Sequence, residues 1–382
     1  MPLLIILRFV FGLLSLVLLA LAAYLLWQWY QGDLVQQPDG DIVRIRTDWF
    51  LWVGGALAVF SLLGRLPLTL LLAKPDTDPS KPLRANGSVV PGASGAQLYV
   101  EQQGNPDAPV IVLTHGWAMD STIWYYAKRD LARSFRVISW DLPGMGRSTP
   151  VTPSAIGLTE FAQDLRSVIA LAGDRKVVLV GHSIGGMTIQ TLARDDADFF
   201  DRHVAGTVLV NTTYTNPLKT MILSPLAQAI RWPLLEPLMR LAILLQPLVW
   251  LSAWQSYLSG SSHIANRIGF GKYVTRSQLE HTTLLSTRNA PGNIHRGNLA
   301  MFRWDATGAM AKVTPPLLVL SGAVDIVTKP EAGEEIARTT PRSANTTIEG
   351  VNHMGFLEAS PTYNQAIAAF AAEAHRASSS VA

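Results

Sequence analysis

The chain of 382 residues contains no cysteine. Disulfides, thiolate nucleophiles and thiolate-held metals are thereby excluded, while the redox compartment stays open. Basic clusters interleaved with aromatics are also missing, and the formal charge is only +3. Nucleic-acid binding therefore has no electrostatic footprint. No repeat of solenoid period recurs. Charge is absent altogether from Phe9 to Trp29.

What is present is apolar surface in excess. Hydrophobic residues make up 48% of the chain and the mean hydropathy is +0.22. The excess sits in the first 75 residues and again over 217–258. At 1.5 Å per residue the uncharged run from Phe9 to Trp29 reaches roughly 30 Å, the thickness of a bilayer's hydrocarbon. Trp27, Trp29 and Tyr30 close it, as amphipathic rings do at a headgroup interface. A secretory signal peptide fits poorly, because a basic n-region is missing and the apolar stretch is too long.

A second apolar segment, Trp49 to Ala73, is interrupted by Arg65 and Pro67. It reads as a second crossing whose Arg65 snorkels near the interface, the alternative being an interfacial arm. Two crossings put both ends on one side. Between them lie Arg44 and Arg46, and after them Lys74, Lys81 and Arg84, a bias toward a cytoplasmic body. Residues 1–75 are thus expected to form a membrane anchor. Pro and charge over 76–87 read as a linker.

From residue 97 onward, short apolar runs alternate with helical stretches. Strands are expected at 97–102, 109–114, 136–140, 176–180, 205–210, 316–321 and 345–349, and helices near 121–133, 159–172, 184–195, 331–339 and 361–376. Several strand candidates are continuous Val/Ile/Leu runs, the pattern of strands covered on both faces. The alternation predicts an α/β fold with a mostly parallel sheet in three layers. Residues 212–305 break it with Pro-punctuated apolar helices, read as a cap between core segments 88–211 and 306–382.

After the run 176–180 comes Gly181-His182-Ser183-Ile184-Gly185-Gly186, followed by a helical stretch. This is G-x-S-x-G between strand and helix, the setting that makes Ser183 a candidate nucleophile. A base is needed. His353, in Gly350-Val351-Asn352-His353, follows the last strand and is the candidate. Asp325 follows the run 316–321 and is the candidate carboxylate to orient it. Asp141 is its rival, but precedes the serine and more plausibly braces its own loop. Backbone N–H groups of Ile184, after the nucleophile, and Trp117, in His115-Gly116-Trp117, are candidates for an oxyanion hole. His115 is expected to order its loop and His182 to point away from the reacting face. His203, His263, His281, His295 and His375 carry no local signature.

Together, His115-Gly116-Trp117, the loop Asp141 to Ser148, the serine motif, Asp325 and Asn352-His353 resemble the α/β-hydrolase superfamily over residues 88–376. The resemblance implies a Ser, Asp, His triad needing no metal or organic cofactor. It is similar to esterases, lipases and monoacylglycerol lipases with an N-terminal membrane segment, which implies a hydrophobic or lipid-like ester as substrate. Carbon–carbon bond hydrolases and haloperoxidases share the motifs and remain alternatives, as does a non-catalytic lipid-binding scaffold. The apolar cap is expected to line an acyl tunnel or dip into the bilayer. Acyl length, head group and oligomeric state are not legible.

Overall fold

The computed structural model describes residues 2–379, with side chains from residue 5. The N-terminal part is a helical hairpin: α1 (Pro2–Gln31), a two-stranded turn of β1 (Asp33–Gln36) and β2 (Ile42–Ile45), then α2 (Asp48–Leu63) and α3 (Arg65–Leu72). The span Ile5–Gln31 of α1 is long and apolar enough to cross a membrane. Its partner is the apolar segment expected as a second crossing, and it is not one straight helix. The α2–α3 pair bends by 61° at Gly64. A Cβ at Gly64 would stand 2.5 Å from the carbonyls of Phe60 and Ser259, so the break is where the anchor meets the cap backbone. Arg65, just past the break, pairs with Glu280 at 2.6 Å.

The body is an eight-stranded sheet in the order β10-β9-β8-β7-β5-β6-β4-β3. Its strands are β3 (Gly87–Pro91), β4 (Gln97–Gln103), β5 (Val110–Thr114), β6 (Arg136–Trp140), β7 (Val177–His182), β8 (Val204–Val210), β9 (Leu317–Gly322) and β10 (Ser343–Ile348). The six from β6 to β10 are parallel, and β4 and β3 run antiparallel at one edge. β5, β7 and β8 are buried along their whole length. Alternate side chains feed opposite layers: Val177 and Leu179 face one core, Val178 and Val180 the other. Helices α4 (Tyr125–Leu131), α5 (Leu158–Ala170) and α6 (Ile184–Asp195) cover the two faces. In α5, Leu158, Phe161, Ala162, Leu165, Val168 and Ile169 recur at helical spacing and are buried. The edges are blunted. β10 is Thr- and Asn-rich and mostly exposed, and β3 ends in Pro91.

The chain leaves β5 for β6 on one side and later returns to place β7 on the other. Loops after β5 and β7 therefore diverge at a crevice, the place where parallel sheets gather ligands. Helices between Pro217 and Met301 form the cap over that crevice.

Residues 76–87 are docked rather than free. Asp78 pairs with Arg129 at 2.8 Å, the Asp78 carbonyl accepts from the Tyr126 hydroxyl at 2.6 Å, and the Ser80 hydroxyl meets Nδ1 of His281 at 2.7 Å. Arg84 reaches Asp120 at 2.7 Å and Asp141 at 3.0 Å. Proline and charge keep this segment out of helix and sheet, but Arg84 finds buried carboxylates and Asp78 an exposed guanidinium. It then enters β3, a strand the sequence pattern missed.

Candidate active site

The turn at Ser183 is set by what surrounds it. Ser183 has φ 51° and ψ −117°, in the left-handed half of the map that a β-substituted residue enters at a cost of roughly 1–3 kcal/mol. Neighbouring bonds hold it there: its N–H donates to the Val210 carbonyl at 3.0 Å, and its carbonyl accepts from Thr212 Oγ1 at 2.6 Å. Strand and helix nearly touch, since a Cβ at Gly181 would sit 2.5 Å from the Gly185 backbone. The side chain of Ser183 is left at the start of α6, 6% exposed.

Three side chains far apart in sequence meet at this point. Oγ of Ser183 lies 3.1 Å from Nε2 of His353, and Nδ1 of His353 lies 2.9 Å from Oδ2 of Asp325. The carboxylate fixes the tautomer, with the proton on Nδ1 and an acceptor at Nε2 facing the hydroxyl. Asp325 in turn accepts from the N–H groups of Val327 and Thr328 at 2.8 and 2.9 Å, from Thr328 Oγ1 at 2.9 Å and from Asn211 Nδ2 at 3.0 Å. Burial alone would raise its carboxyl. The facing imidazole and these donors outweigh burial and hold it below the usual carboxylate range.

Asn211 and Thr328 are neighbours that sequence reasoning missed, and Asn352 is one it noted only beside His353, without these contacts. Asn211 follows β8 at φ 44°, a backbone state asparagine tolerates, and its carbonyl oxygen accepts from the Tyr363 hydroxyl at 3.0 Å. Asn352 Oδ1 accepts from the N–H groups of Ile326 and His353 at 3.0 and 2.8 Å, tying the aspartate loop to the histidine loop. Asn211 directly follows β8, a signal of position, whereas Thr328 and Asn352 lie further out in the loops after β9 and β10.

The remaining candidates fall as follows. The N–H groups of Trp117 and Ile184 donate to no other group among the described residues. The Trp117 indole donates to the Ile294 carbonyl at 2.9 Å, fastening the cap to the core. His115 bridges its own loop: Nδ1 donates to the Gly116 carbonyl at 2.7 Å and Nε2 accepts from the Leu142 N–H at 2.9 Å. Asp141 braces the loops that hold Ser121 and Arg147, accepting from their N–H groups at 2.7 and 2.8 Å. His182 is fully buried and points from the serine toward the His353 backbone, Nε2 donating to that carbonyl at 3.0 Å. Burial, then the nearby His353, pushes its imidazole well below the ordinary value, so it stays neutral.

A cavity of about 170 Å³ opens beside His353, the member of the three that lines it. His353, Met354 and Trp117 line it from the core, Leu238 and Val249 from the cap, and Phe9 from α1.

Comparison with known proteins places this geometry in a family. The model of the alpha/beta hydrolase fold matches residues 109–360. The pimeloyl-[acyl-carrier protein] methyl ester esterase of Vibrio vulnificus is 24% identical over 283 residues, 72% of this chain and 98% of that protein. Polyketide synthase ThaQ of Burkholderia thailandensis is 26% identical over 320 residues, 78% of this chain but 13% of ThaQ, so the chain spans a small part of that relative. Among solved structures, an esterase from Exiguobacterium antarcticum superposes with TM-score 0.61 at 20% identity, covering 75% of this chain and 99% of that one, a likeness of fold. The chain belongs to the alpha/beta hydrolase fold family.

Proposed function

We propose that the chain is a membrane-anchored serine hydrolase that cleaves the carboxylic ester of a hydrophobic or lipid-like substrate through an acyl-enzyme. The observation that carries this reading is the run of short contacts from Ser183 to His353 to Asp325 beside an apolar cavity. In it, Ser183 Oγ attacks the ester carbonyl as His353 Nε2 takes its proton. Asp325 keeps the imidazole in the competent tautomer and offsets its positive charge. The N–H groups of Ile184 and Trp117 receive the oxyanion, each supplying about 3–4 kcal/mol of transition-state stabilisation. His353 then protonates the departing alcohol. Water, deprotonated by the same imidazole, releases the acid and restores the serine.

The lipid-like substrate is supported by the surroundings. Cap residues Leu223, Trp232, Leu244, Leu248, Leu251 and Trp254 are exposed and apolar, and the cap helix Gln246–Ser259, which carries the last three, packs against α1 and α2. The excess of basic residues after α3 supports a cytoplasmic body. A fluorophosphonate should label the detergent-solubilised chain and fail on Ser183→Ala. Labelling that persists in that variant sinks the nucleophile, and a preference for short water-soluble esters over long-chain monoacylglycerols sinks the lipid reading.

A further inference from the structure

One corner of the cavity is polar in a way that ester cleavage alone does not require. Arg8, on α1, lines it together with Ser262, Asn266 and His295 from the cap. The Arg8 guanidinium donates to Oδ1 of Asn266, a neutral acceptor, and no carboxylate lies within ion-pair distance of it among the described residues. Its Nε is shut off from solvent without a hydrogen-bond partner. So are Ser262 Oγ and His295 Nδ1, and all three groups line this same cavity.

A part-buried cation with no counter-charge, its Nε shut off from solvent beside neighbours with unmet hydrogen bonds, is costly in an apolar wall. An incoming anion offsets that cost, because it supplies the charge Arg8 lacks and accepts hydrogen bonds from it and from Ser262. We propose that this corner binds an oxyanion, carboxylate or phosphate, carried by the substrate whose ester bond reaches Ser183. The inference rests on the serine-hydrolase reading for the identity of that bond. The site itself stands on the groups that surround it. Arg8 enters from the anchor and His353 from the core, so the cavity grips a molecule with an anionic group and an apolar body between two separate parts of the chain.

The test is direct binding to the full chain in dodecyl maltoside, carrying Ser183→Ala to prevent turnover. Calorimetric titration compares decanoate, decyl phosphate and decanol. The anions should bind about tenfold or more tightly than the alcohol, and Arg8→Leu should abolish the difference. Decanoate ahead of decyl phosphate assigns an acyl-chain carboxylate, and the reverse assigns a phosphate head group. Arg8→Lys, which keeps the charge, should retain part of the preference. If Arg8→Leu does not fold, Arg8→Gln and Ser262→Ala carry the same comparison. Equal binding of alcohol and anions by the parent, or a preference that survives loss of the guanidinium, overturns the proposal. Absence of fluorophosphonate labelling on the chain with Ser183 intact overturns the hydrolase reading instead, and the binding result is still read by itself.

Discussion

Asp325 is buried and accepts four hydrogen bonds besides the one from His353, so its negative charge is held by a cage rather than by one partner. Asparagine there would keep the shape but present an N–H₂ or a neutral oxygen to Nδ1, favouring the wrong imidazole tautomer. Asp325→Asn is expected to fold and to lower kcat for ester hydrolysis on the order of 10⁴-fold. A loss under tenfold would show that another carboxylate orients His353. The cage also makes a pH statement. A carboxyl held below its ordinary value stabilises the fold above the unfolded pKa, and that contribution disappears as pH falls through the lower folded value. Residues of the cage were hard to read in the sequence for a physical reason. Ser183 directly follows β7, and Asp325 and His353 sit in the loops after β9 and β10, where a chemical type is informative; Asn211 and Thr328 are small polar loop residues whose type names no role.

Elements repeat that division. β5, β7 and β8 were legible because both faces are buried and the sequence must be apolar throughout. β3 was not, since Gly87-Ser88-Val89-Val90-Pro91 is short and mostly exposed and owes its form to pairing with β4. The break between α2 and α3 was half legible: Pro67 and Arg65 were visible, the approach of Ser259 to Gly64 was not. Segment 76–87 looked like a linker because composition cannot reveal partners 200 residues away. His281 is central to its docking, joined to Ser80 at 2.7 Å and to Thr122 at 3.2 Å. Burial pushes the His281 imidazole down to about 4. Below the ordinary histidine value the unfolded chain takes up a proton that the folded one refuses, so stability present above about pH 6.5 is lost as pH falls toward 4, on the order of 3 kcal/mol. Melting at pH 7 and pH 5 should therefore fall more steeply for the parent than for His281→Asn. Parallel curves would mean that this imidazole is not the group that titrates.

Over the whole molecule, the N-terminal helical hairpin and the capped sheet are one packed object. The Oγ atoms of Ser15 on α1 and Ser261 on the cap lie 2.7 Å apart, a Cβ at Gly12 would stand 2.9 Å from Ser252 Oγ, and Arg65 pairs with Glu280. The beginning of α1 lies against the body, and its later part runs outward beside α2. A reporter fused to the C-terminus is expected to behave as cytoplasmic, as the basic residues after α3 suggest. Activity of a periplasm- or lumen-dependent reporter at that position would reverse the assignment. The placement of α1 has a practical consequence. Cutting the chain after α3 to obtain a fragment free of the hairpin would also remove Ile5, Arg8 and Phe9, a wall of the cavity. Such a fragment would carry an intact triad and a breached container, and its preferences among esters would describe a different enzyme.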